Sequence, residues 1–169
     1  MKIRQILIDL VPAVFLFAIP GLLVYLSGSI DIGWSLPQPI FWLPVILGLA
    51  LGLAGLGLMI WTGWLFWMEG KGTVLPLDPT KKLVVVGPYR YVRNPMYSGG
   101  FMVLFGEAIL LGSIAVLVFA VMMPLAPLVY VPLKEERDLE KQFGKEYLVY
   151  KAHVPRWVPR LKPWKGMEG

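Results

Sequence analysis

The sequence predicts an all-α integral membrane protein of about four transmembrane helices followed by a C-terminal cytoplasmic amphipathic helix. Three observations carry that prediction. Hydrophobic residues make up 57% of the chain and charged residues only 16%, far from the balance of a soluble domain. The apolar residues gather into three long runs, Leu10 to Ile30, Ile32 to Met68, and Asn94 to Leu133, the last broken only by Glu107. All 16 Lys and Arg lie outside those runs, at Lys2 and Arg4, between Lys71 and Arg93, and from Lys134 onward.

A spanning helix needs about 20 apolar residues. The first run supplies one. It exceeds the roughly 7 to 15 residues of a signal-peptide core, so it is expected to stay as a span rather than be cleaved. Pro37 and Pro39 restrict the start of the second run, which leaves residues 40–66 as a single long or tilted span. The third run fits two short helices folded back at Gly112-Ser113. Four spans put the three basic segments on one side and the cation-free stretches, Asp31 to Pro39 and Gly112-Ser113, on the other. By the positive-inside rule the basic side, with both termini, is cytoplasmic, and the membrane is read as the cell inner membrane. The net charge of +5 then reflects bases beside anionic lipid, not nucleic-acid binding.

The chain reads as a single membrane domain: two N-terminal spans over 1–68, a cytoplasmic loop over 69–94, a helical hairpin over 95–133 and a C-terminal region over 134–169. In the second span Gly48 and Gly52 stand four apart, as do Ala50 and Ala54, the spacing that lets helices approach closely in lipid. Trp61, Trp64 and Trp67 recur near the cytoplasmic end as an interfacial belt. The loop is rich in Gly and Pro, with one short extended run at Leu83 to Val86. Beyond Lys134, Leu139, Phe143, Tyr147 and Tyr150 share an arc of about 80° while Arg137, Lys141 and Lys145 lie opposite, which predicts an amphipathic helix. The prolines of "HVPRWVPRLKPW" end it. With no cysteine, disulfides, thiolate nucleophiles and Cys-ligated metals are excluded, and no metal site is expected.

Few polar residues are placed to do chemistry. Glu107, inside a span and on the same helical face as Gly100 and Met96, is a functional candidate by depth alone, with an ion pair or an interfacial position as the plain alternatives. In "GPYRYVRNPMY", Gly87 to Tyr97, Gly87-Pro88 suits a turn, Asn94 can cap a helix, and Pro95 falls at the first helical position, where its missing N–H costs nothing. A helix N-terminus there offers donors and a positive dipole end to an anion, and Tyr89, Tyr91 and Tyr97 offer aromatic faces. A capped helix entry with interfacial tyrosines is the structural alternative. The doublet Glu135-Glu136 follows Pro132, and Glu136 sits on the apolar arc, where a carboxylate requires a cation or a donor. Both motifs stand at the cytoplasmic ends of one short hairpin, so they are expected to be neighbours. Together they would meet the needs of S-adenosylmethionine: a carboxylate for its ammonium, donors for its carboxylate, and aromatic faces for adenine and sulfonium.

"GPYRYVRNPMY" followed by "EERDLEKQFGKEYLVYKAHVPRWVP" resembles the isoprenylcysteine carboxyl methyltransferase and phospholipid methyltransferase superfamily of membrane enzymes, over roughly Val74 to Pro159. The resemblance implies a cytosol-facing S-adenosylmethionine pocket with contacts from Lys82, Leu83, Val84, Tyr89, Asn94, Pro95, Met96, Tyr97 and Glu135, with Glu136 adjacent. It also implies a side opening through which a lipophilic or lipid substrate enters from the bilayer. Two positions depart from the pattern. Asn94 stands where better-known members carry His, which keeps hydrogen bonding but not proton transfer. Val131 stands where eukaryotic prenylcysteine enzymes carry a substrate-recognising arginine, so the resemblance extends to fold and cofactor, not to a prenylcysteine substrate.

Methyl transfer from a sulfonium chiefly requires the nucleophile and methyl to be aligned in a dry pocket. Arg90 and Arg93 are candidates for orienting an anionic head group, as is Arg156, and Glu136 is a further catalytic candidate. His153, the only histidine, is a candidate base or a surface residue. Two other functions fit the same motifs: an NADPH-dependent membrane reductase of the sterol reductase type, and a non-catalytic membrane scaffold.

Overall fold

The computed structural model of the chain describes residues 12–28, 30–69 and 82–166. Lys2, Arg4 and Lys71, with the glycines and prolines of the loop over 70–81, lie outside the described residues. The described chain is all-helical. Its five helices are α1 (Val14–Ser27), α2 (Trp42–Met68), α3 (Pro95–Leu111), α4 (Ile114–Phe143) and α5 (Lys145–His153), with a 3-10 turn at Gly87–Arg90. By length and composition α2 and α4 are candidate membrane spans, and α1 and α3 are shorter apolar helices. At about 1.5 Å per residue, the 27 residues of α2 extend roughly 40 Å against a hydrocarbon core of about 30 Å, as expected of an overlong span.

Proline shapes two of the helices in the same way. It has no N–H to give to the ladder, and the neighbouring turn widens to compensate. Ahead of Pro20, Val14–Ala18 is a π-turn in which Ile19 N donates to Val14 O. Around Pro132, Val131–Glu135 is a second π-turn, and Glu136 N donates to Val131 O. The helical run from Ile114 also breaks briefly before Leu125, beside Pro124. The helix that begins at Ile114 therefore does not stop at Leu133 but continues through the widened turn to Phe143.

The chain forms two compact units, Met1–Leu56 with Gly99–Leu125, and Gly57–Ser98 with Ala126–Gly169. In the first, Ile19–Ser27 packs on Ile114–Met122. The hairpin turn falls at Gly112-Ser113 as expected. Ser113 caps α4 by accepting from Val116 N, and Gly112 has φ +59 with the Asp31 carbonyl against it, so no side chain fits. Helices α2 and α3 meet backbone to backbone: a Cβ on Gly106 would lie 2.6 Å from Gly52 N, and one on Gly55 would lie 2.6 Å from Gly99 O. On α2 the close approach requires Gly48 and Gly55, at i and i+7, where an added Cβ would meet the α3 backbone; Gly106 lies against Gly52, but a Cβ on Gly52 itself would meet nothing within 4 Å. Ala50 and Ala54, expected to pack likewise, are exposed, because a helix turns only one such stripe toward a single neighbour.

The second unit holds both sequence motifs. One core joins Leu65, Val84 and Tyr89 with Phe66; another joins Tyr147, Tyr150 and Val154 with Leu83, Val85, Leu139, Phe143 and Trp164. The predicted amphipathic face is thus buried as expected, but its helix is interrupted. Gly144, at φ +54 and ψ −127, takes a conformation open only to glycine, ending α4 and starting α5. Leu83 to Val86 is extended without a strand partner among the described residues.

Candidate active site

The stretch Gly87 to Tyr97 folds as a 3-10 turn, a short connection and the first turn of α3, which starts at Pro95 as its sequence predicts. The proline-rich tail runs back along it. Arg93 N donates to Pro155 O at 2.9 Å, Arg160 N to Tyr91 O at 3.0 Å, and Trp164 N to Arg90 O at 2.9 Å. Side chains reinforce this strap: Asn94 Nδ2 donates to Arg156 O at 3.1 Å and Arg90 Nε to Trp164 O at 2.6 Å. From α5, Tyr150 OH donates to Tyr89 O at 2.7 Å. The turn is therefore held by six hydrogen bonds to residues some 60 to 75 positions away in the chain.

The two glutamates of the doublet meet different fates. The π-turn ends on Glu135 and delivers Glu136 into the interior, 2% exposed. Arg156 forks onto it, Nε to Oε1 at 2.5 Å and Nη2 to Oε2 at 3.0 Å. Arg93 Nη1 reaches Oε1 at 2.9 Å and Lys151 Nζ reaches Oε2 at 3.0 Å. Three cations on one carboxylate satisfy the requirement that a buried charge be paired. The hydrogen bonds that Arg156 donates to Glu136 raise the affinity of its guanidinium for its proton, so Arg156 stays charged. Glu135, one residue earlier, has no cation within ion-pair distance among the described residues. Its Oε2 accepts from Tyr97 OH at 3.1 Å, and the Tyr97 ring meets Trp157 edge-on at 6.2 Å between centroids.

The remaining sequence-derived residues fall around this centre. Tyr89 is buried against Phe66, ring centroids 5.3 Å apart, and burial holds its phenol well above the usual range, so it stays neutral. Val84 packs on Tyr89, Leu83 packs toward Tyr147 and Tyr150, and Lys82 is exposed. Pro95 is fully buried and Met96 is half-buried. The structure brings Asn94, Tyr97, Glu135 and Glu136 together with Arg93, directly or through Arg156. Arg90 belongs instead to the Trp164 contacts. His153 places Nδ1 2.8 Å from Val149 O and stacks on Trp164 at 5.4 Å. Sequence reasoning missed Lys151 and Trp157 and the anchoring role of Trp164. Only the spacing of cations at 151 and 156 on the side of a buried glutamate could have signalled the cluster.

A model of the phospholipid methyltransferase family matches residues 43–146, well over half the chain. The chain belongs to the phospholipid methyltransferase family. Members of that family use S-adenosylmethionine as methyl donor, and this member is an integral membrane protein with the apolar helices described above. The resemblance read from the two motifs holds. The chain is also 39% identical over 71 residues to a methanethiol S-methyltransferase of Crocosphaera subtropica, a match that covers 42% of this chain and only 27% of the relative's length. That relative's named acceptor is a thiol and not a lipid.

The residues present fit S-adenosylmethionine. Glu135 is a part-buried carboxylate with a phenol and, among the described residues, no cation as partner, which suits an incoming ammonium. The Nε of Arg93 is buried and without an acceptor among the described residues, a donor that a ligand oxygen would satisfy. Tyr97 and Trp157 supply aromatic faces next to that carboxylate.

Proposed function

We propose that this protein transfers a methyl group from S-adenosylmethionine to a lipophilic small molecule or lipid at the cytoplasmic face of the inner membrane. In this reading α1 to α4 are four spans, with both termini cytoplasmic. The observation that carries the proposal is the contrast within the doublet: Glu136 is neutralised three times over, while its neighbour Glu135 keeps a carboxylate for a ligand. The cofactor contacts are Lys82, Leu83, Val84, Tyr89, Asn94, Pro95, Met96, Tyr97 and Glu135, with Glu136 holding the scaffold.

S-adenosylmethionine supplies a methyl on a sulfonium, ready for in-line displacement. Glu135 binds the ammonium, and Tyr97 fixes that carboxylate in place by donating to Oε2. Asn94 holds the tail carbonyl of Arg156 to the start of α3, and Arg93 and Arg156 are engaged by Glu136, which favours positioning roles for them over substrate chemistry. No residue of this set is needed as a base for an acceptor that is already nucleophilic, such as a carboxylate or thiolate. The thiol named for the relative makes a small soft acceptor as consistent with this site as a lipid headgroup. The family assignment favours methyl transfer over hydride transfer from NADPH or a scaffold role.

The test is incubation of the purified protein in lipid nanodiscs with methyl-labelled S-adenosylmethionine and a panel of a short thiol, an aminophospholipid and a lipophilic carboxylic acid. Label in the volatile, phospholipid or ester fraction names the acceptor class. Absence of transfer to all three, together with no heat on titrating S-adenosylhomocysteine, removes the proposal.

A further inference from the structure

The strap that closes over the motif has an outer side that methyl transfer does not use. From Tyr147 to Gly166 the chain contains no Asp or Glu but carries Lys151, Arg156, Arg160, Lys162 and Lys165. Lys151 and Arg156 are engaged by Glu136, and Arg160 gives one N–H to His153 O at 2.9 Å. Lys162 and Lys165 are exposed and have no acidic partner among the described residues. With Arg160, Pro163, Trp164 and Gly166 they line an open depression of about 450 Å³. Beside it two apolar side chains project outward, Val158 at 75% and Leu161 at 99% exposure. Bare leucine next to unpaired lysines and an indole, in a protein already held in a bilayer, is the composition that settles at an anionic lipid surface: apolar groups enter the acyl boundary and ammonium groups meet phosphates.

We propose that residues 158–165 dock on the anionic phospholipid headgroups of the bilayer, with Leu161 and Val158 inserted and Arg160, Lys162 and Lys165 on the phosphates. The same segment gives Arg160 N to Tyr91 O and Trp164 N to Arg90 O, so whatever holds it on the membrane also holds the turn that precedes Asn94. Docking therefore links the lipid composition of the membrane to the order of the motif, independently of which acceptor is methylated.

The absence of cysteine makes the test direct. Leu161→Cys introduces a single thiol for an environment-sensitive fluorophore, and the full chain is placed in nanodiscs of phosphatidylcholine alone or with about a third phosphatidylglycerol. Quenching is measured with neutral acrylamide, which the membrane charge does not repel. The label is expected to be blue-shifted and shielded in the anionic membrane, and less so in phosphatidylcholine. Lys162→Gln with Lys165→Gln should weaken docking about 25-fold, at roughly fivefold per lysine, and restore quenching. Raising salt from about 0.1 to 1 M, which shortens the screening length from about 10 to 3 Å, should do the same. Both lysines are exposed, so an unchanged melting temperature separates lost docking from lost folding. Equal quenching in the two membranes, no effect of the double variant, or equal shielding by inorganic phosphate in phosphatidylcholine each overturns the proposal.

Discussion

Glutamine at position 135 and glutamine at position 136 are the same chemical change one residue apart, and the structure requires opposite consequences. Glu135→Gln keeps an oxygen to accept from Tyr97 OH and disturbs no ion pair seen among the described residues. It removes only the charge offered to the ligand ammonium. A charge-assisted hydrogen bond contributes about 1.5–3 kcal/mol, so S-adenosylhomocysteine should bind roughly 10- to 150-fold more weakly while the melting temperature holds. Glu136→Gln leaves Arg93, Arg156 and Lys151 facing a neutral amide. Breaking a buried pair costs about 3–5 kcal/mol. The low end applies, because the Arg156 and Lys151 side chains are 32% and 34% exposed and can turn to water, whereas Arg93 at 9% cannot. About 3 kcal/mol in a chain of this size corresponds to a melting temperature lower by roughly 6–12 °C. Isothermal titration with S-adenosylhomocysteine and thermal denaturation, both in the same detergent, read the two effects separately. Binding by Glu135→Gln within twofold of the parent, or Glu136→Gln melting with the parent, refutes the division of labour between them.

Other expectations follow from single contacts. Tyr97→Phe deletes the donor to Glu135 and should weaken S-adenosylhomocysteine about fivefold at unchanged stability, read by the same titration. Gly106→Val drives methyl groups toward Gly52 N and Gly48 O and should lower the melting temperature by the equivalent of 1–3 kcal/mol or more, whereas Gly57→Ala, with open space around it, should be silent. Tyr150→Phe removes the donor that Tyr89 O accepts and should cost about 1–3 kcal/mol, with ligand affinity falling because the turn loosens. Burial raises the Tyr89 and Tyr150 phenols above their unfolded value. Their contribution to stability is therefore complete below about pH 10 and is lost as pH rises beyond it, and an absorbance titration of phenolate to pH 11 should leave both un-ionised while the fold persists.

Much of the candidate site is legible in the sequence. Pro95 one residue after Asn94 announced the start of α3, and an acidic doublet on an apolar arc required cations. Which cations was not legible. Arg93 lies in the motif and was assigned to substrate, while Arg156 sits in a tail whose prolines say only that no helix continues there. The strap depends on main-chain donors from positions 93, 160 and 164 and on main-chain carbonyls elsewhere, and a backbone N–H carries no residue identity for a pattern to detect. The glycine stripe shows the same limit: two small-residue spacings are equally good on the wheel, and only the position of α3 puts Gly48 and Gly55, and not Ala50 and Ala54, in backbone contact with it.

By itself the sequence determined that the chain is helical and apolar, where its helices turn, and which two short motifs carry polar chemistry, because those properties reside in local composition, periodicity and proline or glycine geometry. Tertiary structure alone decided that Glu136 is paired with Arg93, Lys151 and Arg156 while Glu135 accepts from Tyr97. That difference arises because consecutive residues on a helix point about 100° apart, and because cations from positions 93, 151 and 156 converge on Glu136 while none among the described residues reaches Glu135.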